Sequence, residues 1–225
     1  MENQEDAVHR MRTLLRSLPD GVQVVAAAKT RTPDEVLAAI EAGVSIVGHN
    51  YVQEAEAMAE ALAYKNVSAT VHMIGHLQRN KAARAVHLFD MVQTVDSLRL
   101  AERLSRVCGD AGKTLAILVE VNSGREPNKA GVTPEATPGL IRALGKLPHL
   151  RVDGLMTMGP VVSRSEDLRP YFRETRRLFD TVEREQIPGV EMKVLSMGMS
   201  TSYAVALDEG ATMIRLGTAL FGPRV

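Results

Sequence analysis

Short runs of Val, Ile, Leu and Met alternate along the chain with longer stretches rich in Ala, Glu and Arg. The apolar runs predict eight strands, at 22–29, 45–50, 70–75, 91–96, 115–122, 152–159, 194–199 and 212–217. Many of these runs are apolar at successive positions and do not alternate with polar residues. That pattern is typical of parallel strands that helices cover on both sides.

The stretches between the strands have helical periodicity and helix end signals. In PDEVLAAIEAG, Pro33 suits the first turn and Gly43 the C-terminal cap. A second helix is predicted from an apolar stripe that ends at Gly109 or Gly112; its members are Leu98, Leu100, Leu104 and Val107. A short helix with a Ser/Thr cap and a glycine stop is predicted between Ser200 and Gly210.

Eight strands in 225 residues correspond to about 28 residues per βα unit, which a compact (β/α)8 barrel accommodates. We therefore predict an α/β fold: a single TIM-type (β/α)8 barrel domain over residues 1–225. Apolar residues at helical spacing near the start predict an extra N-terminal helix; they are Val8, Met11, Leu15 and Leu18. The alternative is an open doubly wound sheet, but no GxGxxG follows the first strand.

The composition narrows the classes of partner and compartment. The chain has 27 Lys and Arg against 27 Asp and Glu, so net charge gives no reason to expect a nucleic-acid partner. No apolar run reaches the roughly 20 residues that span a membrane, and the N-terminus has no signal-peptide pattern. A single cysteine, Cys108, forms no internal disulfide. We expect a cytoplasmic protein.

Lys29 follows a run of small apolar residues at the end of the first strand, where a barrel places its active site. Burial disfavours the ammonium form of a lysine and lowers its pKa, which makes the amine a nucleophile toward a carbonyl. The alternative is a solvated lysine at a strand end.

The last two strand ends have the pattern of a phosphate site. Ser196 and Ser200 flank Gly198 before a predicted helix, and Gly217 and Thr218 follow the eighth strand. Either loop alone is also compatible with ordinary turns and caps. A lysine opposite a phosphate site suits a phosphorylated sugar, as in Schiff-base aldolases, or pyridoxal 5′-phosphate (PLP).

Six stretches together resemble the pyridoxal phosphate homeostasis proteins. They are VAAAKTRTPDEVLAAIEAG, GHNYVQEA, HMIGHLQRNKA, VNSGREPNKAG, GLMTMGP and LSMGMSTSYAVALDEGATMIRLGTALFG, in this order from Val25 to Gly222. The resemblance implies a PLP-binding barrel of the type found in the N-terminal domain of alanine racemase. It also implies a Schiff base on Lys29 and further cofactor contacts at Asn50, Ser196, Ser200, Arg215, Gly217 and Thr218.

Within these implied contacts, the two serines, Gly217 and Thr218 fall in the phosphate-binding segments, and Arg215 falls where an arginine faces the pyridine nitrogen. One position departs from the family pattern, because His49 stands where a glutamate is common. A water-facing position would make this change silent, whereas a cofactor-facing one would change PLP affinity or its pH dependence; we expect a silent change.

We expect a PLP-binding protein of vitamin B6 homeostasis without evident catalysis, with apo PLP-dependent enzymes as possible recipients and no metal. Racemisation needs a second acid–base group, which alanine racemase takes from a tyrosine of another domain. Tyr51 and Tyr203 lie near strand ends here without a pattern typical of that role. The alternatives are an amino-acid racemase, a Schiff-base aldolase, and a barrel that acts through a protein partner.

Overall fold

The computed structural model describes residues 4–223, in which helices and strands alternate. The strands are β1 Gln23–Ala27, β2 Ile46–His49, β3 Thr70–Met73, β4 Met91–Val95, β5 Leu115–Val121, β6 Leu150–Thr157, β7 Val190–Met199 and β8 Met213–Leu216. The helices are α1 Gln4–Arg16, α2 Pro33–Ala42, α3 Val52–Tyr64, α4 Ala82–Leu88, α5 Leu98–Asp110, α6 Thr137–Leu144, α7 Arg169–Arg184, α8 Tyr203–Asp208 and α9 Thr218–Phe221. Short 3-10 turns precede α4 and α7.

The strands form a closed parallel barrel in sequence order, and β1 pairs with both β2 and β8. This confirms the predicted (β/α)8 barrel, and each predicted strand overlaps an observed one. β6 and β7 begin earlier than the apolar pattern indicates. Their first residues still pair, Leu150 with Leu115 and Val190 with Val152, although they alternate with exposed side chains.

The predicted N-terminal helix is confirmed by α1, which packs against α2 and α9. Its buried residues are Val8 and Met11. Arg10 donates a hydrogen bond from Nη1 to the carbonyl oxygen of Leu220 at 2.6 Å. The helix therefore covers the side of the barrel where the chain closes.

The helix ends follow the local sequence signals with two differences. At α2, Thr32 and Glu35 form a capping box and Gly43 adopts φ 116° at the C-terminus. After α5 the left-handed residue is Gly112, since Gly109 lies inside the helix.

The two differences concern α5 and α8. Leu98, predicted in the buried stripe of α5, is 38% exposed because it occupies the first turn. α8 begins at Tyr203, and the Ser202 hydroxyl before it accepts from the Met199 amide and makes no cap bond within the helix.

The barrel interior has an apolar floor and a buried polar layer. Side chains from six strands form the floor; they are Val25, Ile46, Met91, Ala116, Leu118, Met156 and Met213. Gln93 and Arg215 each follow a floor residue of their own strand by two positions, and with His72 and Ser196 they form the hydrogen-bonded polar layer. Within residues 4–223, no helix is long and apolar enough to cross a membrane.

Candidate functional site

A cavity of about 390 Å³ opens at the carboxyl ends of the strands. Six of the predicted site residues line it, namely Lys29, Asn50, Ser200, Arg215, Gly217 and Thr218. The remaining lining residues are Ala27, Ile74, Met158, Met199 and Thr201. Barrel closure therefore brings together residues that lie almost 190 positions apart in the chain, from Lys29 to Thr218.

Lys29 lies two residues beyond the end of β1 and is half-buried. The Ala28 amide before it donates to the carbonyl oxygen of Gly48, which extends the pairing of β1 with β2 as far as the lysine. The Lys29 Nζ lies 5.6 Å from the centroid of the Tyr51 ring, which is 52% exposed. The amine is thus held at the cavity mouth between the barrel wall and an aromatic face.

The loop after β7 is tied to the start of α9 through Ser200. Its Oγ accepts hydrogen bonds from the amides of Gly217 and Ala219, both at 3.1 Å. Thr201 and Thr218 border the cavity on either side of this connection. The two segments predicted to bind phosphate therefore form one continuous polar wall.

Gly217 leaves room in this wall. A Cβ added at Gly217 would come no closer than 3.8 Å to a protein atom, that of Ala27. The space that a side chain would fill belongs to the cavity. A bound group can therefore approach the backbone at this position.

Ser196 is placed differently from the other predicted residues. It is fully buried in the polar layer, where its Oγ donates to Gln93 Oε1 at 2.7 Å and accepts from Arg215 Nη1 at 2.7 Å. It does not border the Lys29 cavity. In this structure the Ser196 hydroxyl bonds to the arginine, and it lies apart from the polar wall that Ser200 and Thr218 share.

Arg215 lies in the floor of the cavity with its guanidinium fixed from two sides. Besides Ser196, it donates from Nη2 to the carbonyl oxygen of Thr157 at 3.0 Å. Burial lowers the pKa of the guanidinium to about 10, and the charge of Glu120 opposes that change. The side chain therefore stays cationic at neutral pH.

The charge of the lining favours an anionic ligand. Lys29 and Arg215 are the charged side chains among the described residues that line the cavity, and the lining includes no carboxylate. Hydroxyl groups of Ser200, Thr201 and Thr218 lie along the same wall. Amine, hydroxyl and guanidinium groups around one small cavity are the donors that bind a phosphorylated carbonyl compound.

Sequence reasoning missed two residues that support the arginine. Gln93 Oε1 accepts a hydrogen bond from the Ser196 hydroxyl, and Gln93 Nε2 lies 2.9 Å from His72 Nδ1. Thr157 supplies its carbonyl oxygen to Arg215. An alternating count along β4 from Met91 would have identified Gln93 as an interior residue.

His49 faces neither water nor the cavity. The neighbouring Gly48 points into the barrel, because a Cβ there would touch Val25 and Ile74, so His49 points toward the helices. It is buried, and its Nδ1 has no hydrogen-bond partner within residues 4–223. Burial lowers the pKa of His49 to about 4.

His72 and His76 lie apart, one inside the barrel and one at its mouth. His72 lies in the barrel interior, and burial lowers its pKa to about 4, opposed by the charge of Asp90. The His76 Nδ1 lies 3.8 Å from Asp96 Oδ2 at the cavity mouth. Across the described part of the chain, no group of three or more His, Cys, Asp or Glu side chains is suitable for holding a metal ion.

This chain resembles known proteins over nearly its whole length. The family description "Alanine racemase, N-terminal domain" matches residues 3–225. A pyridoxal phosphate homeostasis protein of Aquifex aeolicus is 38% identical over 202 residues, which cover 90% of this chain and 87% of the relative. This chain belongs to the pyridoxal phosphate homeostasis proteins.

Solved structures give the same result for the fold. PipY of Synechococcus elongatus, solved with PLP bound, superimposes with a TM-score of 0.88 at 35% identity, over 96% of this chain and all of that one. An alanine racemase of Clostridium difficile shares the fold, with a TM-score of 0.79 at 14% identity over 99% of this chain and 60% of the racemase. At that identity the racemase shows a common barrel and nothing more.

Proposed function

We propose that this chain is a single barrel domain that binds PLP in the Lys29 cavity and takes part in intracellular vitamin B6 homeostasis by holding the cofactor and handing it over. The observation that carries the proposal is the shared cavity, in which the Lys29 amine faces the Ser200–Thr218 wall above a fixed Arg215. The PLP-bound structure of PipY and the names of the curated relatives support it.

The cavity fits the three polar parts of PLP. The Lys29 amine would form a Schiff base with the aldehyde. The phosphate would lie against the hydroxyls of Ser200 and Thr218 and the open backbone at Gly217, because this wall offers hydrogen-bond donors and lacks carboxylates. The cavity volume of about 390 Å³ is within the range of small-molecule sites.

Arg215 would face the ring nitrogen, and Asn50 would line the cofactor. A cation beside that nitrogen disfavours its protonation. Bound PLP supplies an electron sink for carbanion chemistry, and an unprotonated ring is the weaker form of that sink. Arg215 would therefore orient the ring and favour the weaker form of the electron sink.

The acid–base groups of the cavity support a carrier over an enzyme. Among the described lining residues, Lys29 is the candidate for acid–base work, and no Tyr, His, Asp, Glu or Cys joins it. Tyr51 contacts Lys29 through its ring face and lines a neighbouring pocket. A racemase needs groups on both faces of the substrate carbon, so one lysine would not turn amino acids over.

A transfer assay tests the carrier function. The PLP-loaded protein, freed of unbound cofactor, is mixed with an apo aspartate aminotransferase, and recovered activity is followed over time. We expect full recovery with the wild type and none from Lys29→Ala after the same treatment, with exposed Lys146→Ala behaving as the wild type. Amino-acid racemisation at enzyme-like turnover would contradict the proposal and favour the racemase alternative.

A further inference from the structure

A second cavity, of about 320 Å³, lies beside the first at the barrel mouth. Asn50, Ile74 and Met158 line both, so the two cavities are neighbours with a common wall. The second extends across the barrel toward the ends of β4 and β5, away from Lys29. Nothing in the proposed PLP site requires it.

Glu120 on β5 points into this cavity. Ala116 and Leu118, at alternate positions of the same strand, belong to the barrel floor, so Glu120 also faces inward. The residue is 9% exposed, and its Oε2 is buried with no hydrogen-bond partner in the described structure. A buried acceptor without a donor is costly, and a ligand that donates to it removes the cost.

The cations around Glu120 are already engaged. Arg215 donates to Ser196 and to Thr157. The Lys129 Nζ lies 2.6 Å from Glu126 Oε2.

The remaining titratable groups at this mouth belong to the loops after β3 and β4. His76 lies beside Asp96, and the Asp96 charge acts against ionisation of Glu120. Among the described residues, no cation therefore donates a hydrogen bond to Glu120 Oε2.

A second acceptor lies on the same wall. Thr94 lines the cavity, and its Oγ1 donates to the carbonyl oxygen of Gly75 at 2.7 Å. Because its proton is used in that bond, the hydroxyl oxygen is left to accept. A carboxylate and a hydroxyl acceptor together suit an ammonium group, which has donors and no acceptor.

We propose that this cavity is a binding site for the ammonium group of a small primary amine, with Glu120 as its main acceptor. The ammonium donates to Glu120 and Thr94, and its carbon chain lies against Ile74 and Met158. The site works without PLP, so it does not rest on the function proposed above.

The protonation of Glu120 links amine binding to pH. Burial and the Asp96 charge raise the pKa of Glu120 to about 7, opposed by Arg215. An ammonium beside the carboxylate favours its ionised form. Binding near neutral pH therefore releases a proton, and acid weakens the binding.

Propylammonium, titrated into the full-length cofactor-free protein, is the probe. Binding is followed by calorimetry and by the carboxyl 13C signals of labelled glutamates, and 1-propanol is the uncharged isostere. At about pH 8 we expect saturable binding that shifts the Glu120 signal. Binding should be about thirtyfold weaker at about pH 5.5, where most of this carboxyl is protonated, and about tenfold weaker in Glu120→Gln. The exposed α3 variant Glu60→Gln should bind as the wild type does.

The outcomes decide the proposal without reference to PLP. Equal binding by Glu120→Gln, equal binding of 1-propanol, or the absence of saturation would each overturn it. Because the protein carries no cofactor in this experiment, a failure of PLP binding leaves the result unaffected.

Discussion

The Ser196 hydroxyl lies 2.7 Å from Nη1 of Arg215, and this bond fixes the guanidinium beneath the Lys29 cavity. The same hydroxyl donates to Gln93. One small buried side chain thus links β4, β7 and β8 in the interior of the barrel and sets the position of the Arg215 cation in the cavity floor.

Replacing Ser196 by Ala leaves one Arg215 donor and the Gln93 oxygen without a partner. We expect Ser196→Ala to lower the free energy of unfolding by about 1–3 kcal/mol and to shift the absorption maximum of bound PLP. Urea denaturation and the visible spectrum measure the two effects. The buried Ser105→Ala on α5, which removes a bond to the Pro148 carbonyl, should lose stability with an unchanged spectrum. Identical spectra for both variants would refute the role of Ser196 in positioning Arg215.

Thr218→Val tests whether the polar wall of the cavity contacts the phosphate of PLP. The substitution keeps the shape of the side chain and removes a hydroxyl that lines the cavity. We expect PLP affinity to fall about fivefold, the equivalent of about 1 kcal/mol, because one hydrogen bond to the phosphate is lost. Affinity for pyridoxal, which has no phosphate, should not change. Thr181→Val on the exposed face of α7 serves as the control, and an equal loss for both ligands would argue against a phosphate contact at Thr218.

The two predicted serines show how far sequence reasoning reached. Ser196 and Ser200 flank Gly198 and were given the same role from their spacing. The predicted strand and β7 both end at Met199, and in the structure Ser200 lies in the loop at the cavity whereas Ser196 lies inside the barrel. The apolar pattern predicted the strands and their ends. The side to which Ser196 points depends on the register of β7 with its neighbours, and the register irregularity between Ser196 and Met199 is invisible in the sequence.

Glu120 and His49 could not be assigned from sequence for a related reason. Both lie within or at the end of apolar runs, where a polar residue gives no indication of which face it occupies. Barrel closure places Glu120 inside, near Arg215, and His49 outside, beneath the helices. The unpartnered atoms of both residues arise from tertiary packing, which no local pattern encodes.

Glu120→Gln should change the pH dependence of stability in the cofactor-free protein. The folded carboxyl keeps its proton up to a pKa of about 7, whereas the unfolded one loses it near 4.5. Stability from this group is therefore present below pH 4.5 and is lost as pH rises to about 7.

The variant lacks this loss, so we expect its advantage over the wild type to grow by roughly 3 kcal/mol across that range and then to level off. Urea denaturation at several pH values measures it, with Glu60→Gln as the control. A constant difference between Glu120→Gln and the wild type would contradict the burial of this carboxyl.

His49→Gln should reduce the loss of stability that the wild type shows as pH falls, whereas Glu120→Gln reduces a loss that occurs as pH rises. The unfolded histidine takes up a proton near 6.5, whereas the buried one stays neutral down to a pKa of about 4. The wild type therefore loses roughly 3 kcal/mol on this account as pH falls between those values. The variant should lose less, and the exposed His87→Gln should follow the wild type. Parallel curves for His49→Gln and the wild type would show that His49 is accessible to protons.

The most direct test of the central claim is the site of covalent attachment. The protein is saturated with PLP, reduced with borohydride and digested, and the modified peptide is identified by mass spectrometry. The account predicts a phosphopyridoxyl group on Lys29, together with bleaching of the visible absorption band. A modification spread over surface lysines, or a protein that takes up no PLP, would contradict it.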